Sequence, residues 1–400
     1  MQNSPLVHIN RLQDISYHQR SYAIKKAKIF DGEQILNNKV LIIEGNIIKE
    51  IVEENIWEAP KNCEIIHMDD LTISAGFIDL QLNGCGGWLF NDNIELKCLE
   101  MMHQTNLKFG CTSFLPTLIT TSEANIIKAV KVATDFYQAH PFTILGLHVE
   151  GPYINSEKKG IHNINYIKSI NQDMVSFFTK AVENIPLMIT MAPECNDLVY
   201  IEQLTKRGVQ VALGHSNATY EEARAGIKAG ITCATHLFNA MSNFQGRSPG
   251  VVGAVLNSEI FAGIIIDGYH VSYESVAIVK KIKQDKLYIV TDAVTPMGTN
   301  MTTFKLSDQE IYVKGGKCVN ADNILAGSNI DMMSSIKNAV NYAWLSLEES
   351  LRMATWYPAT VMGINNYLGK VAPNYIANLT AFDCNYKVKH TIDRGKLINF

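Results

Sequence analysis

Apolar and polar positions follow three regimes along the chain. From residue 22 to residue 73 short strand-length runs are broken by turn residues: AIKKAKIFDG, then KVLIIEGNIIKEI with a Gly45-Asn46 turn, then CEIIHMDD leading into LTISAG. The same pattern returns near the other end in YIANLTAFDCNYKVKHTIDRGKLI, with an Arg394-Gly395 turn. Neither piece has enough apolar surface to form a core alone, so both ends are expected to pair into one small β-sandwich. Between them, apolar runs at 77–82, 112–118, 143–149, 187–191, 209–213, 231–235, 261–266 and 286–291 alternate with stretches of helical period. The expected organisation is an extension at 1–20, the first part of the sandwich at 21–74, an α/β barrel at 75–372 and the second part of the sandwich at 373–400.

Eight strands with helical connections predict a (β/α)8 TIM-like barrel. The alternative, an open doubly wound sheet, carries a glycine-rich phosphate loop after its first strand; that place here reads QLNGCGG, which lacks the fingerprint. The clearest βαβ unit has a strand at 209–213, a helix at 218–229 with Glu221 and Glu222 in its first turn, and a strand at 231–235. Strands joined by a crossover helix run parallel, so His215 and His236 emerge at the same C-terminal edge, where such folds place their chemistry. Either histidine alone is equally readable as a satisfied barrel-core residue. Two at matching strand ends point to a metal.

The chain of 400 residues is 47% hydrophobic, enough for a large core, and its net charge of -4 gives no basic field for nucleic acid or anionic membrane. Apolar runs such as 261–266 are far too short to span a bilayer. The eight cysteines are scattered with no Cys-x-x-Cys, which suits small core residues in a reducing, cytoplasmic compartment. Residues 1–20 carry Arg11, Asp14 and Arg20 without a continuous apolar segment, so they do not read as a secretory signal.

The C-terminal strand ends offer Gln81 and Asn83 on the first strand, His148 and Glu150 on the third, His215 on the fifth, His236 on the sixth and Asp292 on the eighth. A catalytic divalent ion such as zinc needs about three protein ligands and one open position, and Glu150, His215 and His236 meet that count. Asp292 remains to accept and return a proton. Glu150 and Asp292 are also readable as a barrel-mouth salt bridge or a helix cap. His162, in KKGIHN, could fold over the mouth or face solvent. Arg247, in FQGRSPG, suits bidentate capture of a phosphate oxygen or a surface turn, and His270, in DGYH, could reach a ligand or a neighbouring subunit. A β-hairpin is expected at 305–318, and Leu325, Ala326 and Gly327 of LAGSN can offer backbone N–H groups.

Taken in order, GFIDLQLNGCGG, LPTLITT, GLHVEGPYIN, KKGIHN, APE, GHSNATYEEA, THLFNAM, GRSPG, DGYHV and VTDA closely resemble the N-acetylglucosamine-6-phosphate deacetylases of the amidohydrolase superfamily. No single motif decides this; the ordered set does. The resemblance implies hydrolysis of the acetamide of N-acetylglucosamine 6-phosphate. It implies Glu150, His215 and His236 as metal ligands, Asp292 as general base and acid, and His162 at the acetamido group. Asn239, Ala240, Arg247 and His270 would contact the phosphate. It further implies a homodimer in which Arg247 comes from the partner subunit, with His270 a second candidate to do so. Many relatives carry His-x-His at the end of strand one, where Gln81 and Asn83 stand here; neutral amides are poor zinc ligands, so one metal is expected, with Gln81 positioning water or substrate. Ala75 replaces the usual proline before Gly-Phe-Ile-Asp. Two other readings are an amidohydrolase cutting a cyclic amide and a non-catalytic sugar-phosphate-binding barrel. The first commonly needs a carboxylated lysine at strand four, where this chain reads Met191-Ala192-Pro193-Glu194; the second is disfavoured by the complete set of ligands with Asp292.

Overall fold

The computed structural model describes residues 21–400 apart from Asn62 and Asp308, so the extension expected at 1–20 lies outside the described residues. Strands Phe77–Leu82, Cys111–Ile119, Leu147–Glu150, Leu187–Met191, Gln210–Leu213, Cys233–Ala234, Phe261–Ile264 and Leu287–Ile289 follow one another in a single eight-stranded sheet. From the second onward, each neighbour pairs in parallel. Nearly every residue in these strands is buried, as a sheet covered on both faces requires, which explains why the runs read as continuously apolar. The expected barrel is the observed architecture. The sixth strand is shorter than the predicted 231–235, yet Thr232 N still donates to Val211 O and Thr235 N to Leu213 O, so the ladder outlasts the regular strand geometry.

The seam between the eighth and first strands is made differently. Asp292 N donates to Gln81 O at 2.9 Å, Asn83 N donates to Ala293 O at 2.9 Å, and Leu82 and Ala293 form an isolated parallel bridge. Beneath them the Asp79 carboxylate accepts from Gln81 N at 3.1 Å, from Thr291 N at 3.2 Å and from the Thr291 hydroxyl. A side chain thus replaces ladder bonds where the barrel closes.

Helices start where the sequence supplies caps. Tyr220–Lys228 begins two residues inside the predicted start, after Thr219, whose hydroxyl accepts from Glu222 N while the Glu222 carboxylate accepts from Thr219 N, a capping box. Glu123–Ala139 is capped by Ser122 and buries Ile126, Ala129, Val130, Ala133 and Phe136, one stripe at helical spacing. After the eighth strand the predicted hairpin is larger than expected. Thr303–Leu306, Gln309–Lys314, Lys317–Val319 and Leu325–Ser328 form a four-stranded antiparallel sheet. Its Phe304, Leu306, Ile311, Cys318 and Ala326 pack with Leu89, Ile119, Ile161 and Val294 of the barrel rim.

A second compact unit gathers Leu107–Thr112, Ser346–Phe400 and the described residues up to Ile78. One sheet orders Ile47–Glu53, Lys39–Glu44, Ser21–Lys25 and Glu64–His67; the other orders Lys396–Asn399, Val388–Asp393, Leu379–Phe382, Thr72–Ala75, Lys28–Phe30 and Ile35–Leu36. The two chain ends meet where Leu379–Phe382 pairs antiparallel with Thr72–Ala75. Ile24, Leu41 and Ile43 of the first sheet and Ile73, Leu379 and Ile392 of the second share one apolar cluster, so the two sheets form a sandwich. The Arg394-Gly395 turn has φ of 49° and 79°, the left-handed pair a tight hairpin needs. This unit resumes at Ser346 rather than 373, taking in helices Leu347–Ala354 and Trp356–Val361; Arg352 Nη1 donates to Glu33 O at 3.3 Å.

Candidate active site

Three strand ends at the barrel rim finish in left-handed backbone: His215 at φ 48°, His236 at 27° and Asp292 at 52°. Non-glycine residues adopt this region at a cost, and hold it where neighbouring bonds over-determine it. Such bonds surround all three. His215 O accepts from Asn155 N at 2.9 Å, and the next two residues are tied to one carboxylate, Glu194, which takes Ser216 Oγ at 2.7 Å and Asn217 N at 2.7 Å. His236 O accepts from Asn239 N at 3.0 Å, and Asp292 O from Ser328 N at 2.9 Å.

The side chains so aimed converge. Glu150 Oε1 lies 3.0 Å from His215 Nε2 and 3.0 Å from His236 Nε2, and the two Nε2 atoms are 3.0 Å apart. Donors at 2.0–2.2 Å from a tetrahedral ion stand about 3.3 Å from one another, so this buried triangle has the size and donor chemistry of a divalent-metal face. His215 Nδ1 meets Lys158 O at 2.8 Å, a bond that fixes the ring with its Nε2 lone pair turned inward. The three ligands singled out from sequence are therefore brought together. His148 is not among them: its Nδ1 meets Thr117 Oγ1 at 3.3 Å and its Nε2 meets Thr190 Oγ1 at 2.7 Å, so the satisfied-core reading belongs to this histidine. Burial pushes it down to about 4.

Asp292 stands beside the triangle. Its Oδ1 accepts from Asn83 Nδ2 at 2.7 Å and from Gln81 Nε2 at 3.1 Å, and the same Gln81 nitrogen lies 3.2 Å from both Glu150 oxygens. Gln81 is a bridge between two carboxylates. Burial, reinforced by the Glu150 charge, pushes the Asp292 carboxyl up to about 6. Burial alone would also raise Glu150, but the His215 and His236 imidazoles outweigh it and hold that carboxyl well below its ordinary value. Two adjacent carboxyls are thus driven apart, one firmly anionic and one able to exchange a proton near neutrality.

A cavity of about 430 Å³ opens over these groups and is also lined by His162, Asn239, Ala240, His270, Leu325 and Gly327. His162 is buried, not solvated, with Nδ1 2.7 Å from Thr120 Oγ1, and burial followed by the nearby His215 holds it well below its ordinary value. His270 Nδ1 pairs with Asp267 Oδ2 at 2.7 Å, and the ring faces the cavity of its own chain. Ala326 is buried in the apolar core of the inserted sheet and does not line the cavity; strand alternation turns it away from Leu325 and Gly327. Arg247 is exposed and is not part of the lining. Sequence reasoning missed Thr120, Asn155 and Glu194, although all three fall inside motifs it had marked: LPTLITT, GLHVEGPYIN and APE.

Comparison with known proteins agrees with this geometry. The amidohydrolase family model matches residues 72–398. An N-acetylglucosamine-6-phosphate deacetylase of Haemophilus influenzae is 45% identical over 94% of this chain and 98% of its own length. An N-acetylgalactosamine-6-phosphate deacetylase of Shewanella sp. is 34% identical over 82% of this chain and 83% of its own. The crystal structure of the N-acetylglucosamine-6-phosphate deacetylase from Pasteurella multocida superimposes with a TM-score of 0.92 at 42% identity, covering 95% of this chain and all, 100%, of that one. With the barrel, the Glu-His-His triangle and the strand-eight aspartate in place, the chain belongs to the amidohydrolase family and, within it, to the N-acetylglucosamine-6-phosphate deacetylases.

Proposed function

We propose that the chain hydrolyses the acetamide of N-acetylglucosamine 6-phosphate, releasing acetate and glucosamine 6-phosphate. The observation that carries this is the Asp292 carboxyl, held by Asn83 and Gln81 beside the buried Glu150-His215-His236 triangle. Zinc fits two imidazoles and one carboxylate best, and one ion is proposed because Gln81 spends its amide hydrogens on carboxylates. When bound, such an ion acts as a Lewis acid, lowering the pKa of a water and polarising an acyl oxygen. Asp292 takes the proton of the attacking water and returns it to the sugar nitrogen as the C–N bond breaks. His162, kept neutral by burial, donates through Nε2 when the Thr120 hydroxyl donates to its Nδ1, so it can hold the acyl oxygen without adding a charge.

Among the other residues that line the cavity, Asn239, Ala240 and His270 are assigned to the phosphate, and Leu325 and Gly327 of the inserted sheet to the sugar. Arg247, exposed outside the cavity, is assigned to the phosphate bound by a second copy of the chain, making the working unit a homodimer. Eight free thiols support a reducing, cytoplasmic setting, and no helix among the described residues is long and apolar enough to cross a membrane.

The test is acetate release by the purified protein, with its metal content measured in parallel, from N-acetylglucosamine 6-phosphate and from its galactosamine counterpart. Zinc near one equivalent and preference for the gluco sugar are expected. Release from neither sugar sinks the reading, and preference for the galacto sugar moves the assignment to the substrate of the Shewanella relative.

A further inference from the structure

Two lysines open KKGIHN, and the structure treats them differently. Lys159 Nζ turns back to Gly160 O at 3.2 Å, whereas the Lys158 ammonium has no hydrogen bond or ion pair among the described residues. The adjacent carboxylate does not take it up: Glu157 Oε2 accepts instead from Asn217 Nδ2 at 2.6 Å. Nor does Lys158 simply stand in solvent. It is half-buried and lines the cavity over the Glu150-His215-His236 triangle. Its backbone is held at both ends, with Lys158 N donating to Asn155 O at 3.0 Å and Lys158 O meeting His215 Nδ1 at 2.8 Å. The root of the side chain is therefore fixed while its charged end is uncommitted.

The charges around the cavity give that ammonium a task. Glu150, Glu157 and Asp292 line it, and among the lining residues Lys158 alone is a lysine or arginine, Arg247 being exposed outside. His270 already has the Asp267 carboxylate 2.7 Å from its Nδ1. A phosphate monoester carries a charge of roughly −1.5 to −2 near neutral pH, and a cavity lined by carboxyls repels it unless a cation offsets them. Position agrees with charge. Ala240, assigned above to the phosphate, accepts through its carbonyl from Ser216 N at 3.1 Å, next to the His215 whose ring Lys158 O holds.

We propose that Lys158 is the chain's own cation for the 6-phosphate, its ammonium meeting a phosphate oxygen alongside Asn239, Ala240 and His270. The inference rests on the deacetylase reading above and adds a specificity-determining residue to it. A lysine suits this place, because three donors on a flexible stem follow the phosphate as a point charge without the fixed bidentate geometry of a guanidinium. In the proposed dimer Arg247 of the second copy then meets a phosphate that Lys158 already holds.

The test compares kcat/KM for N-acetylglucosamine 6-phosphate with that for N-acetylglucosamine in wild type, Lys158→Gln and Lys158→Arg, with metal content measured in each. The ratio should fall roughly tenfold or more in Lys158→Gln, mainly through the KM of the phosphorylated sugar, and Lys158→Arg should recover most of it. Glutamine keeps the backbone bond to the His215 ring, so metal content should hold. An unchanged ratio overturns the inference. So does an equal loss on both sugars, a fall that Lys158→Arg shares in full, or a loss of metal: each makes Lys158 a prop for its loop and not a phosphate contact. If the unphosphorylated sugar turns over too slowly to measure, inhibition by glucosamine 6-phosphate decides. A Ki about tenfold higher in Lys158→Gln supports the inference and an unchanged Ki overturns it. A wild type that releases no acetate from either sugar sinks the deacetylase reading itself, whereas an active wild type with an unchanged ratio in the variant sinks only the role of Lys158.

Discussion

At the barrel rim Glu150, His215 and His236 are buried and Asp292 is partly buried, and each is fixed by bonds from two or more neighbouring segments. At 243–248, where Arg247 lies, every side chain is exposed, and the segment is shaped by a tight turn in which Gln245 and Ser248 exchange backbone bonds at 3.1 Å. Both stretches belong to the same compact unit and both come from motifs marked in the sequence. The proposed sharing of the substrate follows this difference. The groups proposed to act on the amide are assembled within one chain, whereas the arginine proposed for the phosphate lies on an exposed turn that a second chain would cover in the proposed dimer.

The comparison breaks first if the rim does not act as a metal centre. His236→Ala removes one corner of the triangle, and we expect zinc content and kcat/KM to fall together, the latter by roughly a thousandfold or more. Activity that survives in metal-free protein would remove the ion from the mechanism. Asp292→Asn is the next largest effect. It keeps the hydrogen-bonding shape but cannot shuttle a proton, so kcat should drop by about 10² to 10⁴ while metal content holds. Metal loss in this variant would make Asp292 a ligand rather than the base.

Arg247→Ala tests the other side of the comparison. Turnover of the 6-phosphate sugar should weaken by about tenfold to a hundredfold, with little change for unphosphorylated N-acetylglucosamine. Mixing decides where the arginine acts. In a dimer formed from Arg247→Ala and Asp292→Asn chains, one site has an intact Asp292 from its own chain and an intact Arg247 from its neighbour. Co-refolding the two variants should then recover up to roughly a quarter of wild-type activity. No recovery would place Arg247 in its own chain's site or outside any site.

Strand ends carried much of this in the sequence because chemistry at the rim of a parallel barrel follows immediately after apolar runs, as at Leu213-Gly214-His215 and Thr235-His236. What lay hidden was pairwise and long-range. Glu194 clamping Ser216 and Asn217, or Thr120 meeting His162 from 42 positions away, leaves no local period to read. The inserted sheet was underestimated because Leu325–Ser328, left outside the hairpin expected at 305–318, pairs with Lys317–Val319. Arg247 was legible as a phosphate-binding type but not in its place, since nothing local tells a turn that faces a cavity from one that faces a partner.

The smallest expected effect concerns what holds the rim from below. Asp79 is fully buried at the seam, and burial pushes its carboxyl from 3.8 to about 7, against the bonds from Thr291 and the Gln81 backbone. The sign follows from which state holds the proton. Below about pH 4 folded and unfolded chains both bind it; between about 4 and 7 only the folded chain does, so this group's contribution to stability is lost as pH rises toward 7. The full window is worth roughly 4 kcal/mol as an upper limit, and Asp292, raised to about 6, adds a slope of the same sign. Asparagine at position 79 imitates the protonated carboxyl: its carbonyl can accept from the Gln81 and Thr291 N–H groups while its NH₂ donates to the Thr291 hydroxyl. The melting temperature of Asp79→Asn, relative to wild type, should therefore climb by a few degrees between pH 4.5 and pH 7.5, leaving the Asp292 slope in both proteins. A difference that stays flat would mean that Asp79 is ionised throughout, and the seam would then be held by a charge and not by a neutral hydrogen-bonded pair. In either case metal content should not change, because among the described residues the Asp79 carboxyl hydrogen-bonds to Gln81 and Thr291 and to none of the three proposed ligands.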